Sequence, residues 1–77
     1  MKLEYSKHWK HKKKYRKDIT DDLIEYAVQN SKEMRDKHWP DASNAVCRVP
    51  PMGRILKVVY RKIGKNKIRV ITAFWLD

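Results

Sequence analysis

The sequence has one cysteine, two glycines, three prolines and no long apolar run. A single cysteine, Cys47, excludes an internal disulfide and fits a reducing cytoplasm. No stretch approaches the about 20 apolar residues that cross a bilayer, and the N-terminal residues lack the apolar centre of a signal peptide. A glycine-rich phosphate loop and a nucleophile elbow are also missing. We therefore expect one small cytoplasmic domain over residues 1–77, with no membrane association and no cofactor.

Acidic residues are scarce and unevenly placed. The chain has nine Asp and Glu against 19 Lys and Arg, for a formal net charge of +10. Residues 1–17 and 42–77 each carry eight Lys and Arg against one acid, whereas residues 18–41 carry three against seven. This distribution predicts a cationic surface and a separate acidic one. Nucleic acid is the partner that best suits the cationic surface.

The last third of the chain predicts a β-hairpin. Residues 54–61 and 67–75 are dense in β-branched and aromatic side chains. Gly64-Lys65-Asn66 lies between them and predicts a short turn, in which Gly64 or Asn66 takes the left-handed conformation.

Alternation divides this hairpin into an apolar and a cationic side. The apolar side is expected to carry Leu56, Val58, Tyr60, Ile68, Val70, Thr72 and Phe74. The other side is expected to carry Lys57, Arg61, Lys67, Arg69 and Trp75. The predicted register places Arg61 opposite Arg69, and like charges so placed cost up to about 1 kcal/mol. We therefore expect this side to bind an anion; the alternative is a solvated face whose cations avoid one another.

The basic N-terminal segment predicts a helix over residues 5–17, anchored by Trp9. His8, Lys12 and Arg16 recur every four residues and form one stripe, with His11 and Tyr15 beside it. The alternative is a disordered basic arm that becomes ordered on a phosphate backbone.

A second helix is predicted over residues 20–31. Thr20 is a natural N-cap, and Asp21 and Asp22 lie in the first turn, where the helix dipole favours anions. The spacing of four apolar residues is that of a buried stripe: Leu23, Ile24, Ala27 and Val28. The acids of this helix are interpreted as a solvated face.

Two further strands are predicted before the hairpin, over residues 34–39 and 44–49. Residues 40–43 have the composition of a turn, and Pro50-Pro51-Met52-Gly53 predicts a corner. The predicted fold is therefore α+β, with two N-terminal helices packed on a four-stranded antiparallel sheet.

Several short motifs resemble the RelE/ParE-like toxin superfamily, and BrnT-type toxins in particular. They are a histidine and basic residues on the first helix, the Ile19-Thr20 entry to the second helix, and the strands Arg54–Tyr60 and Ile68–Phe74. The resemblance implies a RelE/barnase-like fold that cleaves RNA and is neutralised by an acidic protein antitoxin. It implies working residues on the sheet, at Lys57, Arg61 and Arg69, and on the helix, at His8, Lys12 and Arg16.

These residue types suit RNA cleavage without a metal. A histidine can act as acid or base near neutral pH, so His8 and His11 are the candidates. Arg61 and Arg69 would stabilise the charge that develops on the phosphate, and Lys57 could share that role. Further RNA contacts are expected from Lys12, Arg16, Arg54, Lys67 and Trp75, with Trp39 as a second stacking candidate.

Other interpretations remain open. The same face could belong to a non-catalytic nucleic-acid-binding module, or to a superfamily member that inhibits gyrase. Trp75 could instead cover the end of the sheet. The three histidines and Cys47 match no usual zinc spacing, so no metal site is expected.

Overall fold

The structure is a computed structural model and describes residues 1–76. Its elements, in chain order, are β1 (Lys2–Tyr5), α1 (Lys7–Lys12), a 3₁₀ turn (Lys13–Tyr15), α2 (Asp21–Asn30), β2 (Met34–Arg35), β3 (Ser43–Val49), β4 (Arg54–Gly64) and β5 (Lys67–Trp75). The strands form one sheet in the order β1-β5-β4-β3-β2. Strand β1 runs parallel to β5, and the other neighbours are antiparallel.

The predicted four-stranded antiparallel sheet under two N-terminal helices is wrong. The sheet is mixed and has five strands, because residues 2–5 add a parallel edge strand to β5. Alternation in β1 is that of a half-buried strand: Leu3 and Tyr5 pack against the core, while Lys2 and Glu4 lie on the other side. Four residues are too short a run for this signal to stand out beside the basic segment that follows.

Helix α1 is shorter than the predicted helix over residues 5–17. It begins after Ser6, whose side chain accepts a hydrogen bond from the Trp9 N–H at 3.0 Å. Trp9 is buried in the core, as the sequence predicts. The chain tightens into the 3₁₀ turn over Lys13–Tyr15, so the basic segment makes two short pieces and not one long helix.

Helix α2 confirms the second predicted helix. The Thr20 hydroxyl accepts a hydrogen bond from the Leu23 N–H at 3.3 Å, and Asp21 and Asp22 occupy the first turn. Ile24 and Ala27 are fully buried against the sheet. The first-turn acids are not simply a solvated face, because the Tyr5 hydroxyl donates to Asp21.

The β4–β5 hairpin is also confirmed, with Arg61 directly opposite Arg69. Its turn differs from the prediction. Gly64 pairs with Lys67 and leaves two residues in the turn, and neither Gly64 nor Asn66 has a positive φ. The left-handed residue is Gly53, with φ of 72°, at the corner between β3 and β4.

A bulge at Ile71 overturns the predicted sides of β5. The register shifts by one residue there: Tyr60 pairs with Val70, but Val59 pairs with Thr72. Up to Val70, β5 follows the predicted alternation; beyond the bulge the sides exchange. Ala73 and Trp75 therefore pack with the core, and Thr72 and Phe74 lie on the opposite face. One extra residue is enough to exchange the two sides, because successive side chains of a strand point to opposite faces of the sheet.

We call the sheet face away from the main core the outer face. It carries Glu4, Lys57, Val59, Arg61, Lys67, Arg69, Thr72 and Phe74. The main core lies on the inner face, under α1 and α2, and includes Trp9, Ile24, Leu56, Val58 and Val70. On the outer face, Ala42 makes a small second cluster with Val59 and Ile71.

The predicted strand over residues 34–39 ends after Arg35, and β2 has two residues. Asp36 stops it, because its carboxylate accepts hydrogen bonds from the backbone N–H groups of His38 and Trp39, at 2.9 and 2.8 Å. The following loop brings Ala42 onto the outer face. Within residues 1–76, no helix has the length and apolar character needed to cross a membrane.

Candidate functional site

The outer face carries a cleft of about 530 Å³ where β1 and α1 meet the sheet. It is lined by Glu4, Tyr5, Ser6, Lys7, His8, Trp39, Arg61, Arg69 and Ile71. Three predicted site residues therefore share one cleft: His8, Arg61 and Arg69. Trp39, about half exposed at 49%, belongs to the same cleft and offers a stacking surface.

Ser6 fixes His8 relative to the sheet. Its backbone N–H donates to the Val70 carbonyl at 2.9 Å, and its hydroxyl donates to the Ile71 carbonyl at 3.0 Å. The same hydroxyl oxygen caps α1 through Trp9. One residue thus joins the end of β1, the bulge of β5 and the start of α1. His8 follows two residues later, exposed and lining the cleft.

Arg69 is paired with Glu4, a residue that the sequence analysis did not select. Glu4 Oε1 accepts hydrogen bonds from Arg69 Nε at 2.9 Å and from Nη2 at 2.6 Å. Its Oε2 lies 3.1 Å from Lys67 Nζ. These hydrogen bonds, first from Arg69 and then from Lys67, hold the pKa of the Glu4 carboxyl below its ordinary value. Glu4 therefore forms ion pairs with two of the predicted cations, Arg69 and Lys67.

Arg61 is different, because it forms no ion pair with any residue in the described part of the chain. Its Nε is buried and has no acceptor among those residues. Leaving a buried donor unsatisfied costs about 1–3 kcal/mol. Arg61 also stands directly opposite Arg69, so its charge is repelled by its neighbour. Arg61 is therefore the sheet cation of the cleft that no carboxylate of residues 1–76 pairs with, in contrast to Arg69.

The other cleft-lining aromatic group, Tyr5, is committed elsewhere. Its hydroxyl donates to Asp21, and its ring lies 4.2 Å from Lys13 Nζ. Burial, together with the hydrogen bond to Asp21, raises the pKa of Tyr5 to about 12. This hydroxyl keeps its proton at neutral pH and is not a base for the cleft.

Lys57 lies on the outer face as predicted but lines a separate cleft of about 280 Å³. Its neighbours there include Asp36, Lys37, His38 and Asn44. Burial raises the pKa of the Asp36 carboxyl, but the N–H donors of His38 and Trp39 outweigh it and hold that pKa below its ordinary value. The three predicted sheet cations thus do not converge on one point.

The predicted helical stripe separates in the structure. His11 is exposed, makes an edge contact with the Tyr15 ring at 5.9 Å and does not line the cleft. Lys12 is half-buried and is also outside it. Arg16 Nη1 donates to the Ala73 carbonyl at 2.9 Å and to Thr72 Oγ1 at 3.3 Å. Arg16 therefore connects the segment after the 3₁₀ turn to β5, beyond the part of β5 that pairs with β1.

Two predicted RNA contacts lie on the inner side of the sheet. Trp75 pairs with Leu56 and packs against the core, and its Nε1 donates to Asp18 Oδ2 at 2.9 Å. Arg54 stacks on the Trp75 ring at 4.3 Å and lies 3.6 Å from Asp18. The bulge at Ile71 removes Trp75 from the predicted cationic side. Trp75 covers the end of the sheet, the alternative considered above.

Sequence reasoning missed Glu4 because it missed β1. The signal was present in the alternation of charged and apolar residues over Lys2–Tyr5, but its position beside Arg69 depends on a pairing between residues 65 apart. Among residues 1–76, no three His, Cys, Asp or Glu side chains are grouped so as to hold a metal ion. The chain matches no family model, no curated protein and no solved structure.

Proposed function

We propose that this protein is an endoribonuclease that cleaves single-stranded RNA in the outer-face cleft without a metal ion. The observation that carries the proposal is the presence of His8, Arg61 and Arg69 in one cleft. Cleavage by attack of the ribose 2′-hydroxyl needs two proton transfers and positive charge at the phosphate. The cleft contains a residue type for each requirement.

Arg61 is the residue proposed to bind the scissile phosphate. Its charge has no counter-ion in the described chain, and a guanidinium presents paired donors that match phosphate oxygens. Arg69 contributes from the opposite strand, and His8 transfers a proton from the α1 side. Trp39 stacks a neighbouring base, which favours an unpaired strand over a duplex.

The cationic surface also supports the proposed setting. An acidic protein would be the complementary inhibitor of this cleft, because opposite potentials favour association. We place the reaction in the cytoplasm, a compartment in which a single unpaired cysteine is stable.

The test is cleavage of a fluorescent single-stranded RNA in the presence of EDTA. The wild-type protein should yield products with 2′,3′-cyclic phosphate ends, identified by mass spectrometry. The double variant Arg61→Ala, Arg69→Ala should lose about a hundredfold or more in kcat/KM. The matched control is Lys62→Ala, the residue next to Arg61, which pairs with Glu33 at 2.6 Å outside the cleft. Equal cleavage by the double variant and the control would contradict the proposal.

A second candidate is a non-catalytic RNA-binding module. It is favoured by the Glu4–Arg69 pair. Glu4 neutralises Arg69, so the cleft has less positive charge to stabilise a transition state than a group of unpaired cations would have. This candidate predicts binding whose log Kd depends on log salt, with a slope that falls by about 0.7 when one phosphate contact is removed. Salt-dependent binding with no cyclic-phosphate product would select it.

A further inference from the structure

We infer that Glu4 is the general base of the cleft, the group that accepts the proton of the attacking 2′-hydroxyl, while His8 protonates the leaving oxygen. The inference rests on the proposed ribonuclease function. It adds a catalytic residue that carries negative charge, in a cleft otherwise described by its cations.

The position of Glu4 is the first support. Strand β1 pairs in parallel with β5, and this register places Glu4 beside Arg69 on the outer face. The Glu4 side chain is 39% exposed, so a substrate can reach it. It lines the same cleft as His8 and Arg61. One ligand in this cleft could therefore contact the Glu4 carboxylate, the His8 imidazole and the unpaired Arg61 guanidinium.

The contacts of Glu4 are the second support. Arg69 binds Oε1 through two nitrogens, and Lys67 lies against Oε2. These cations keep the carboxylate ionised at neutral pH, and each carboxylate oxygen has more than one acceptor site. The pair also fixes the direction of the side chain, as a base must be held within hydrogen-bond reach of its proton.

The other polar side chains of the cleft leave the role to Glu4. The Ser6 hydroxyl already donates to the Ile71 carbonyl and accepts from the Trp9 N–H, and a lysine such as Lys7 has donors but no acceptor. The Tyr5 hydroxyl donates a hydrogen bond to Asp21 and keeps its proton. The arginines have no acceptor atoms. Between Glu4 and His8, the carboxylate is the acceptor, and the imidazole, the side chain most often used in proton transfer, takes the acid role.

The step balances without a further reactant. The 2′-oxygen forms a bond to phosphorus and its proton passes to a Glu4 oxygen. The bond from phosphorus to the 5′-oxygen breaks, and that oxygen receives a proton from His8. The products are a 2′,3′-cyclic phosphate and a free 5′-hydroxyl. Glu4 is left protonated and His8 neutral, and exchange with water restores both.

Another role for Glu4 is to hold Arg69 in place, and the Glu4→Gln variant separates the two roles. As the base, Glu4 is essential for turnover and not for binding. Glu4→Gln should therefore lower kcat by about 10²- to 10⁴-fold. Its Kd for an all-2′-deoxy strand of the same sequence, which binds but has no attacking hydroxyl, should stay equal or fall, since one negative charge is removed.

The pH profile provides a readout that a structural role would not change. Wild-type kcat should fall at acidic pH as Glu4 becomes protonated, and Glu4→Gln should lack this limb. The matched control is Glu33→Gln, which removes another half-exposed carboxylate paired with a lysine, outside the cleft. This control should cleave like the wild type. Circular dichroism of both variants checks that they fold.

Each outcome is decisive for one of the two ideas. Cleavage by Glu4→Gln within about threefold of the wild type, with the acid limb retained, would overturn the role of Glu4 and leave the ribonuclease proposal standing. Binding without cleavage by the wild type itself would overturn both.

Discussion

Asp36 illustrates how one carboxylate can hold a loop against the sheet. It is 7% exposed, and its oxygen accepts two backbone N–H groups at the start of the loop that carries Trp39 into the cleft. The pKa of its carboxyl is lowered in the fold. Its stabilising contribution is therefore present above the pKa of an unfolded Asp, about 3.9, and is lost as pH falls through the lower folded value.

We expect Asp36→Ala to reduce the free energy of unfolding by about 1–3 kcal/mol at pH 7, because two N–H groups lose a charged acceptor. The difference from the wild type should begin to shrink below about pH 4, where the Asp36 carboxyl of the unfolded chain becomes protonated, and should shrink further as the pH falls through the lower pKa of the folded chain. Urea unfolding at pH 7 and pH 3 measures both effects. Asp41→Ala, an exposed acid of the same loop, is the control. A constant difference at both pH values would refute the charge-based explanation.

At the scale of elements, the bulge of β5 decides which side chains face the cleft. Before it, Arg69 lies on the outer face; after it, Trp75 lies on the inner face, although both have the same parity in the sequence. The bulge also provides the Ile71 carbonyl that the Ser6 hydroxyl binds. The same irregularity thus ties the start of α1 to the sheet near His8.

Helix α2 is the element whose local signals most directly support a stability prediction. Thr20→Ala should lower the free energy of unfolding by about 1 kcal/mol, because the Leu23 N–H loses its side-chain acceptor. Thr20→Ser keeps the hydroxyl and should stay close to the wild type. Thermal and urea unfolding of the two variants check this. An alanine variant as stable as the serine variant would show that the cap contributes nothing.

At the scale of the whole molecule, small size lets every charged side chain contribute to the electrostatic potential over the entire surface at low salt. The extents are 30 × 26 × 24 Å, comparable to a Debye length of about 30 Å at 0.01 M salt. The net charge of +10 therefore acts as a long-range attraction for a polyanion, such as the RNA proposed above as the substrate.

We expect the double variant Lys10→Gln, Lys14→Gln to slow RNA association several-fold at 0.01 M salt and to have little effect at 0.15 M, where the Debye length is about 8 Å. Both lysines are exposed and lie outside the cleft. Stopped-flow fluorescence with labelled RNA measures the rate. The charge-conserving Arg variants should behave like the wild type. A similar loss at both salt concentrations would indicate direct contact with bound RNA.

Local signals determined the elements that depend on near neighbours. Thr20 and the stripe through Ile24 and Ala27 defined α2, and alternation with a short turn defined the β4–β5 hairpin with Arg61 opposite Arg69. These features follow from interactions over a few residues, or across one hairpin, so the sequence by itself contains them.

Tertiary structure decided the features that depend on distant pairing. The parallel β1–β5 contact, the bulge at Ile71 and the position of the Asp36 loop on the outer face have no strong local pattern, because each depends on pairing or packing with another segment of the chain. They pair Glu4 with Arg69, place Trp75 on the inner face and bring Trp39 into the cleft that His8 also lines. The cleft is lined by residues from separate segments of the chain, and the order of the strands in the sheet decides which segments come together.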